Sequence, residues 1–299
     1  MTQRPPQHAH AVMHCNLNTL DLESAEAFYL VVAGRPPRFR SLGQDQDATA
    51  MGLGTSTSSV TAFVWDERGT RAAPALEVVA WEDPPTEVAG YEQRAGFSAI
   101  GYRVPDLDAA RHVLSGLRPL TDAELVVRGS VRPAVVLTDP DGVLVEVVEV
   151  PFSDAGDPGA DAPALSHERL RVTDLERSLR WYASIGFETL HRDGGRASIV
   201  LPEDPTFSLE LEERPDVGPS PSRANRQGLF RLALAVEDVE LAARALRAAY
   251  PATSSPVFIP MEDTPTGGYT VLFLTDPDGT VVELVTRPRT EVRRPLAPV

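Results

Sequence analysis

The sequence has few cysteines and few basic residues, and it has no long apolar run. One cysteine, Cys15, in 299 residues excludes an internal disulfide and favours a reducing compartment. No run of 18 apolar residues is present, so a transmembrane helix is excluded, and the polar first ten residues lack a signal-peptide core. Lys and Arg number 28 against 43 Asp and Glu, a net charge of −15 that argues against a nucleic-acid partner. We therefore expect a cytoplasmic protein without a membrane partner.

The most informative feature that is present is an internal repeat. Thr-Asp-Pro-Asp-Gly-Val-Leu-Val-Glu, residues 138–146, returns as Thr-Asp-Pro-Asp-Gly-Thr-Val-Val-Glu, residues 275–283. An Asp-Gly between two alternating apolar runs predicts a β-hairpin, so each copy carries one glutamate, Glu146 or Glu283, within a strand. A carboxylate in a Val-rich strand is costly unless it is paired, and a metal ion is one candidate partner. The repeat indicates that the chain is a duplication.

Four segments share one order of elements. Each begins with a short strand, continues with an Asp that caps an amphipathic helix, and ends in β-rich sequence; the four capping residues are Asp21, Asp106, Asp174 and Asp238. This order predicts βαβββ modules and the α+β class. The Pro-, Gly- and Asp-rich stretch 151–164 reads as a linker. We expect an N-terminal domain at 10–150, with modules 10–90 and 95–150, and a C-terminal domain at 165–290, with modules 165–215 and 229–290. Residues 288–299 read as a loose tail.

Strand parity places polar side chains together on the opening strands. In the first strand one face carries Cys15, Leu17 and Thr19, and the other carries His14, Asn16 and Asn18. In the third, Leu170 and Val172 face the helix, while the residues that face away are His167, Arg169 and Arg171. The polar face either lines a ligand cavity or meets solvent, and parity does not choose between them.

These motifs together resemble the vicinal oxygen chelate superfamily, which includes glyoxalase, bleomycin resistance and extradiol dioxygenase proteins. The resemblance rests on the His-x6-Asp-Leu-Glu opening, a helix ending in Phe-Tyr or Trp-Tyr, and the Asp-Pro-Asp-Gly-x3-Glu hairpin, and it runs from about His14 to Arg287. It implies that the four modules form two cupped mixed-sheet domains. It also implies that paired modules supply the ligands of one divalent metal in each cup.

The resemblance assigns site residues by position. It implies six metal ligands, namely His14, Glu77, Glu146, His167, Glu210 and Glu283. Glu146 and Glu283 could also act as catalytic bases. The family's second histidine is absent, because Ala99 and Arg231 stand at its positions. Polar residues near the predicted sites are the candidates for binding substrate: Asn16, Asn18, Arg103, Arg169 and Arg231. The alternative is that the repeat glutamates form ion pairs with Arg103 or Arg231.

Two pairings of the modules remain open. If neighbours pair, one site combines His14, Glu77 and Glu146, and Arg231 lies in the other. If the outer modules pair with each other and the inner modules do likewise, Glu283 joins His14 and Glu77, and Arg231 lies beside them. The long linker favours neighbours. Arg231 would repel a cation and would pair with Glu210 or Glu283, or bind an anionic substrate.

Three classes of function fit this constellation. The first is a lyase, isomerase or epimerase that acts on a small oxygenated carbonyl compound with Mn, Fe, Ni, Zn or Mg. The second is an extradiol-type dioxygenase, which the missing histidines disfavour. The third is a metal-free ligand-binding or drug-sequestering protein. We favour the first class over the third, with a small-molecule partner and a monomeric or homodimeric chain.

Overall fold

The computed structural model describes residues 8–90, 93–150, 162–261, 264 and 266–294. The first module consists of β1 (Ala11–Asn18), α1 (Leu22–Ala33), β2 (Phe39–Gln46), β3 (Thr57–Trp65) and β4 (Ala75–Asp83). The second consists of β5 (Gly96–Val104), α2 (Leu107–Leu114), β6 (Thr121–Val127), β7 (Ser130–Thr138) and β8 (Leu144–Glu149). The third consists of β9 (Ala164–Val172), α3 (Leu175–Ser184), β10 (Glu188–Asp193), β11 (Arg196–Leu201) and β12 (Asp204–Glu213). The fourth consists of β13 (Gly228–Val236), α4 (Val239–Ala249), β14 (Val257–Pro260), β15 (Gly268–Thr275) and β16 (Val281–Thr286).

The predicted α+β class and the four βαβββ modules are confirmed. All four predicted aspartates cap their helices, each accepting a hydrogen bond from a backbone N–H of the first turn. In the part of the chain that the structure describes, no helix has both the length and the apolar character needed to cross a bilayer.

The modules pair outer with outer and inner with inner. One eight-stranded sheet has the order β14-β15-β16-β13-β1-β4-β3-β2, and we call it the outer cup because it joins the first and fourth modules. The other has the order β10-β11-β12-β9-β5-β8-β7-β6, and we call it the inner cup because it joins the second and third. Each cup combines one module from each half of the chain. The expectation that neighbouring modules pair is therefore wrong.

The connections explain why linker length misled the prediction. Strands β8 and β9 both flank β5 and therefore lie roughly 10 Å apart in the same sheet. Most of the predicted linker, residues 151–161, lies outside the described residues. The chain passes between the cups twice, from β4 to β5 and from β12 to β13. Isolated β-bridges link these two connections, pairing Glu87 with Arg226 and Arg94 with Gly218.

The opening strands of all four modules share one apolar core. Cys15, Ile100, Leu170 and Leu232 are completely buried in it, one from each opening strand. The predicted parity of β1 and β9 thus holds for their apolar residues. The same parity places Glu168 on the core face, where its side chain is also completely buried.

The repeated Asp-Pro-Asp-Gly turns connect modules that belong to different cups. The first aspartate of each turn, Asp139 or Asp276, accepts two backbone N–H hydrogen bonds within the turn. Its second oxygen accepts a hydrogen bond from a helix tyrosine of the preceding module, Tyr29 in α1 at 2.9 Å and Tyr182 in α3 at 3.3 Å. Burial raises the pKa of both aspartates to about 6. The tyrosines of the Phe-Tyr and Trp-Tyr helix endings therefore link the two cups by hydrogen bonds, in addition to packing in the core.

The end of the chain is anchored, so the expectation of a loose tail is wrong for residues 288–294. The guanidinium of Arg289 pairs with Glu203 and Glu237. Arg294 has a side chain 2% exposed and lies 2.9 Å from the carboxylate of Asp204, which is fully buried. That carboxylate also accepts the backbone N–H of Val12, at the start of the outer cup's first strand. The remaining residues, 295–299, lie outside the described ranges.

Candidate ligand-binding site

The concave face of the outer cup encloses a cavity of about 570 Å³. Four charged or ionisable side chains form what we call its floor: His14, Glu77, Arg231 and Glu283. They come from the four central strands β1, β4, β13 and β16, which are neighbours in the sheet. Because each residue faces the concave side of its strand, the fold brings residues from both ends of the chain within contact distance.

Arg231 is the centre of the floor. Its Nε donates to Glu283 Oε2 at 2.8 Å, and its Nη2 donates to Glu77 Oε2 at 2.7 Å. Its Nη1 lies 3.8 Å from the sulfur of Met51. Burial alone would lower the pKa of Arg231, but the two carboxylates outweigh burial and raise it. Burial would likewise raise the pKa of Glu283, but the charge of Arg231 and the hydrogen bonds from its neighbours reverse that effect and lower it. The floor is therefore an ion network at ordinary pH.

The other floor contacts converge on the same carboxylate oxygens. His14 Nε2 lies 3.4 Å from Glu77 Oε2 and 3.7 Å from Glu283 Oε2. Asn16, which is fully buried, donates its amide to Glu77 Oε2 at 3.0 Å. No described residue donates a hydrogen bond to Oε1 of Glu77 or of Glu283. Both glutamates thus hold one oxygen in the network and present the other to the cavity.

The cavity walls are rich in aromatic residues, which the sequence reasoning did not identify. They include Phe39, Phe63, Trp65, Trp81, Tyr269 and Phe273. Strand register places Phe63 opposite Glu77 and Phe273 opposite Glu283, so each carboxylate has an aromatic neighbour. Phe63 stacks on Phe39 and Trp65 with ring centroids 5.2 and 5.7 Å apart. The alternation of Phe63 and Trp65 on one strand face was the available signal.

The inner cup contains the matching residues in a different arrangement. His167 Nε2 lies 3.0 Å from Glu146 Oε2, and Arg169 binds both oxygens of Glu146 at 2.8 Å. Burial would raise the pKa of Glu146, but His167 and Arg169 lower it to about 2. Glu210 accepts hydrogen bonds from three groups, the hydroxyls of Ser198 and Ser208 and the backbone N–H of Arg128. Both inner carboxylates therefore have both oxygens occupied by protein donors.

Strand register shows how the two cups diverged. Ala99 of the inner cup stands where the outer cup has Arg231, and Arg169 stands where the outer cup has Asn16. Each cup therefore has one guanidinium among its carboxylates, supplied by different strands. Ser198 replaces Phe63 opposite its glutamate, and Val136 replaces Phe273. The inner cup thus lacks, at these positions, the aromatic walls of the outer cup.

Neither cup has a donor set that fits a divalent cation. In the outer cup the guanidinium of Arg231 lies between the two carboxylates that would have to bind the ion. In the inner cup Arg169 and three neutral donors occupy the carboxylate oxygens. Within the described ranges, no group of three His, Cys, Asp or Glu side chains is suited to hold a metal. The fold brings His14, Glu77 and Glu283 together in one cup and His167, Glu146 and Glu210 in the other; their role as ligands stays a prediction.

The predicted substrate-binding residues have different surroundings. Of the five, Arg231 lines the cavity, Asn16 orients Glu77 from beneath the floor, and Arg169 belongs to the inner network. Asn18 is buried, donating to the Arg226 carbonyl and accepting from the indole of Trp81. Arg103 is 2% exposed in β5 of the inner cup and does not line the cavity.

Residues 164–284 match the family model described as the Glyoxalase/Bleomycin resistance protein/Dioxygenase superfamily. The match covers about 40% of the chain, which is similar to this superfamily over those residues. The matched residues span the third and fourth modules, so this superfamily segment contributes one module to each cup.

Several solved structures share the fold over most of the chain. A mutant of glyoxalase I from Zea mays is 22% identical, covers 92% of this chain and 93% of its own, and has a TM-score of 0.67. Glyoxalase I from Zea mays is 23% identical, covers 92% of both chains, and has a TM-score of 0.64. A Bacillus subtilis protein proposed to be a dioxygenase is 14% identical, covers 97% and 92%, and has a TM-score of 0.69. At these identities the likeness shows the fold. A search of curated proteins finds no match.

Proposed function

We propose that this chain is a member of that superfamily and binds a small organic ligand in the cavity of the outer cup without a metal ion. The observation that carries the proposal is the position of Arg231, whose guanidinium bridges Glu77 and Glu283 at the cavity floor. Of the functions predicted from the sequence, this is the metal-free ligand-binding or drug-sequestering class. A lyase, isomerase or dioxygenase of the metal-dependent type needs a cation at the place that this guanidinium occupies.

Electrostatics supports this choice. A divalent ion bound by the same carboxylates would lie within a few ångströms of a guanidinium that stays charged at any ordinary pH. The ion would also have to displace Arg231 from two hydrogen-bonded ion pairs in a buried site. Breaking a buried pair of this kind costs about 3–5 kcal/mol. The network therefore stabilises the floor without metal.

The size and lining of the cavity support a small organic ligand. Its volume of about 570 Å³ falls in the ordinary range of small-molecule pockets. Aromatic and aliphatic side chains surround a few convergent polar groups, which is the composition of sites that bind by burial and select by hydrogen bonding. The same composition is not present opposite the glutamates of the inner cup, so we assign the function to the outer cup.

Metal content tests the proposal directly. Wild-type protein purified without chelator should contain less than about a tenth of an equivalent of metal per chain after incubation with Mn, Fe, Ni, Zn or Mg salts and desalting. The variant Arg231→His places an imidazole at the position of the family's second histidine and should take up metal under the same conditions. A full equivalent of metal in the wild type would overturn the proposal. Failure of both proteins to bind metal would leave the wild-type result standing and show that the histidine alone is insufficient.

A further inference from the structure

We propose that the ligand of the outer cup carries a cationic nitrogen group, which binds at the floor between Glu77 and Glu283. This inference rests on the proposed function, because it names the chemistry of the ligand that would occupy the same cavity. The inference is based on a pair of buried carboxylates that share one guanidinium. Each carboxylate has one oxygen that accepts no hydrogen bond from the described residues.

The charges of the floor residues favour a ligand that carries a positive charge. Glu77 and Glu283 carry two negative charges, and Arg231 carries one positive charge. His14 adds a second positive charge only when it is protonated. The side chains of the two glutamates and of Arg231 are only 5%, 8% and 9% exposed, so solvent compensates little of the excess. Because a buried charge without a partner is costly, a ligand that supplies one positive charge stabilises the floor.

The hydrogen-bonding pattern of the floor also favours a positively charged ligand group. All three guanidinium nitrogens of Arg231 already contact Glu77, Glu283 or Met51, so at least part of its donor capacity is used within the floor. The open groups of the floor are acceptors, namely the two Oε1 atoms. An ammonium or amidinium group supplies N–H donors to both oxygens, whereas a carboxylate ligand would meet them with like charge.

The walls also favour a cation. Phe63 and Phe273 lie opposite the two glutamates on adjacent strands, and Trp65, Trp81 and Tyr269 line the same cavity. Aromatic faces attract ammonium and amidinium groups, typically by about 0.5–2 kcal/mol for each favourable contact. They also bind the flat apolar part of an aromatic amine. The preferred ligand class is therefore an aromatic or hydrophobic amine.

Two further arginines that line the cavity, Arg38 and Arg287, do not change this assignment. Arg38 is exposed, so water and salt screen its charge from the floor. Arg287 lies 2.9 Å from Glu291, which offsets its charge locally. Neither is part of the buried ion network.

Three probes of one shape test the inference on the full-length protein. They are 1-naphthylmethylamine, 1-naphthylmethanol and 1-naphthoate, which carry positive, zero and negative charge. Isothermal titration calorimetry at pH 8 compares the affinities of the three probes. We expect the amine to bind about tenfold more tightly than the alcohol, with the acid weakest.

Matched variants assign the preference to the floor. Glu77→Gln and Glu283→Gln should each reduce the affinity for the amine about tenfold and leave the affinity for the alcohol within about twofold. Glu210→Gln changes the matching residue of the inner cup and should leave both affinities unchanged. Circular dichroism establishes that each variant is folded, and Glu77→Asp retains the charge if the glutamine variant unfolds.

The outcomes separate this inference from the proposed function. If the alcohol and the acid bind in the metal-free protein as tightly as the amine, the cation assignment is wrong and the cavity still binds ligand. If an amine preference persists in both floor variants, its origin lies elsewhere and the inference is overturned. If no probe binds to the metal-free wild type, both proposals fail.

Discussion

Replacing Glu168 by glutamine should remove a pH-dependent loss of stability that this carboxyl group imposes on the folded protein. Glu168 is completely buried in the apolar core that the four opening strands share, and neither carboxyl oxygen has a hydrogen-bond partner of ordinary geometry among the described residues. Burial raises the pKa of Glu168 well above 4.5, and the nearby thiol of Cys15 lowers it only in part. The folded protein therefore keeps the proton that the unfolded chain releases.

The sign and size of the effect follow from proton linkage. A raised folded-state pKa means that the free energy of unfolding falls as the pH rises above 4.5, by about 1.4 kcal/mol per pH unit until Glu168 ionises in the folded state. Each pH unit above 4.5 over which the folded protein keeps this proton adds the same amount to the loss. A glutamine has the same shape and does not titrate. It still buries an amide without partners, which costs about 1–3 kcal/mol at every pH.

Urea unfolding followed by circular dichroism at pH 5, 6, 7 and 8 measures the effect. The stability of Glu168→Gln relative to the wild type should rise as the pH rises above 5, by up to about 1.4 kcal/mol with each pH unit. Glu124→Gln, on an exposed position of β6, is the matched control and should run parallel to the wild type. Parallel curves for Glu168→Gln and the wild type would refute the reasoning, because they would mean that Glu168 titrates alike in the folded and unfolded states.

Three further predictions concern stability. Arg294→Ala should lower the free energy of unfolding by about 3–5 kcal/mol in urea titrations because it leaves a buried aspartate unpaired, whereas the exposed neighbour variant Arg293→Ala should have little effect. Burial raises the pKa of Asp139 and Asp276 from 3.8 to about 6. Each aspartate should therefore lower the free energy of unfolding as the pH rises across that interval, by a total on the order of 3 kcal/mol. The corresponding asparagine variants should lack this slope in urea titrations from pH 4 to 6. Glu146 has a lowered pKa of about 2, so its contribution of about 3 kcal/mol is present above pH 4.5 and lost as the pH falls towards 2. Acid titration of Glu146→Gln, monitored by circular dichroism, should show a shallower decline than the wild type.

Local features of the fold were predictable because they depend on neighbouring residues. The four helix caps, the Asp-Gly hairpins and the parity of the opening strands all follow from short segments of sequence. The same parity could also have identified Glu168, since it shares a strand face with Leu170 and Val172. A glutamate on that face is a sequence signal for a buried carboxyl group.

The pairing of modules was not predictable by the same means. Strand β1 could have paired with β5 or with β13, because both are apolar opening strands, and the choice depends on contacts between distant segments. This choice decides the partners of Arg231. Neighbour pairing would have brought it to Glu210 and Glu283, whereas the observed pairing brings it to Glu77 and Glu283. The composition of the candidate site was thus partly visible in the sequence, but its assembly was not.

The outer pairing of modules also has a consequence for the order of assembly during synthesis. Strands β5 to β12, which form the whole inner cup, leave the ribosome before β13 appears, so the inner cup can close first. His14 and Glu77 emerge early, and their cup stays half-built until Arg231 and Glu283 arrive from the last module. A nascent or truncated chain without that module therefore lacks every cavity-lining residue that the fourth module supplies, including Arg231 and Glu283.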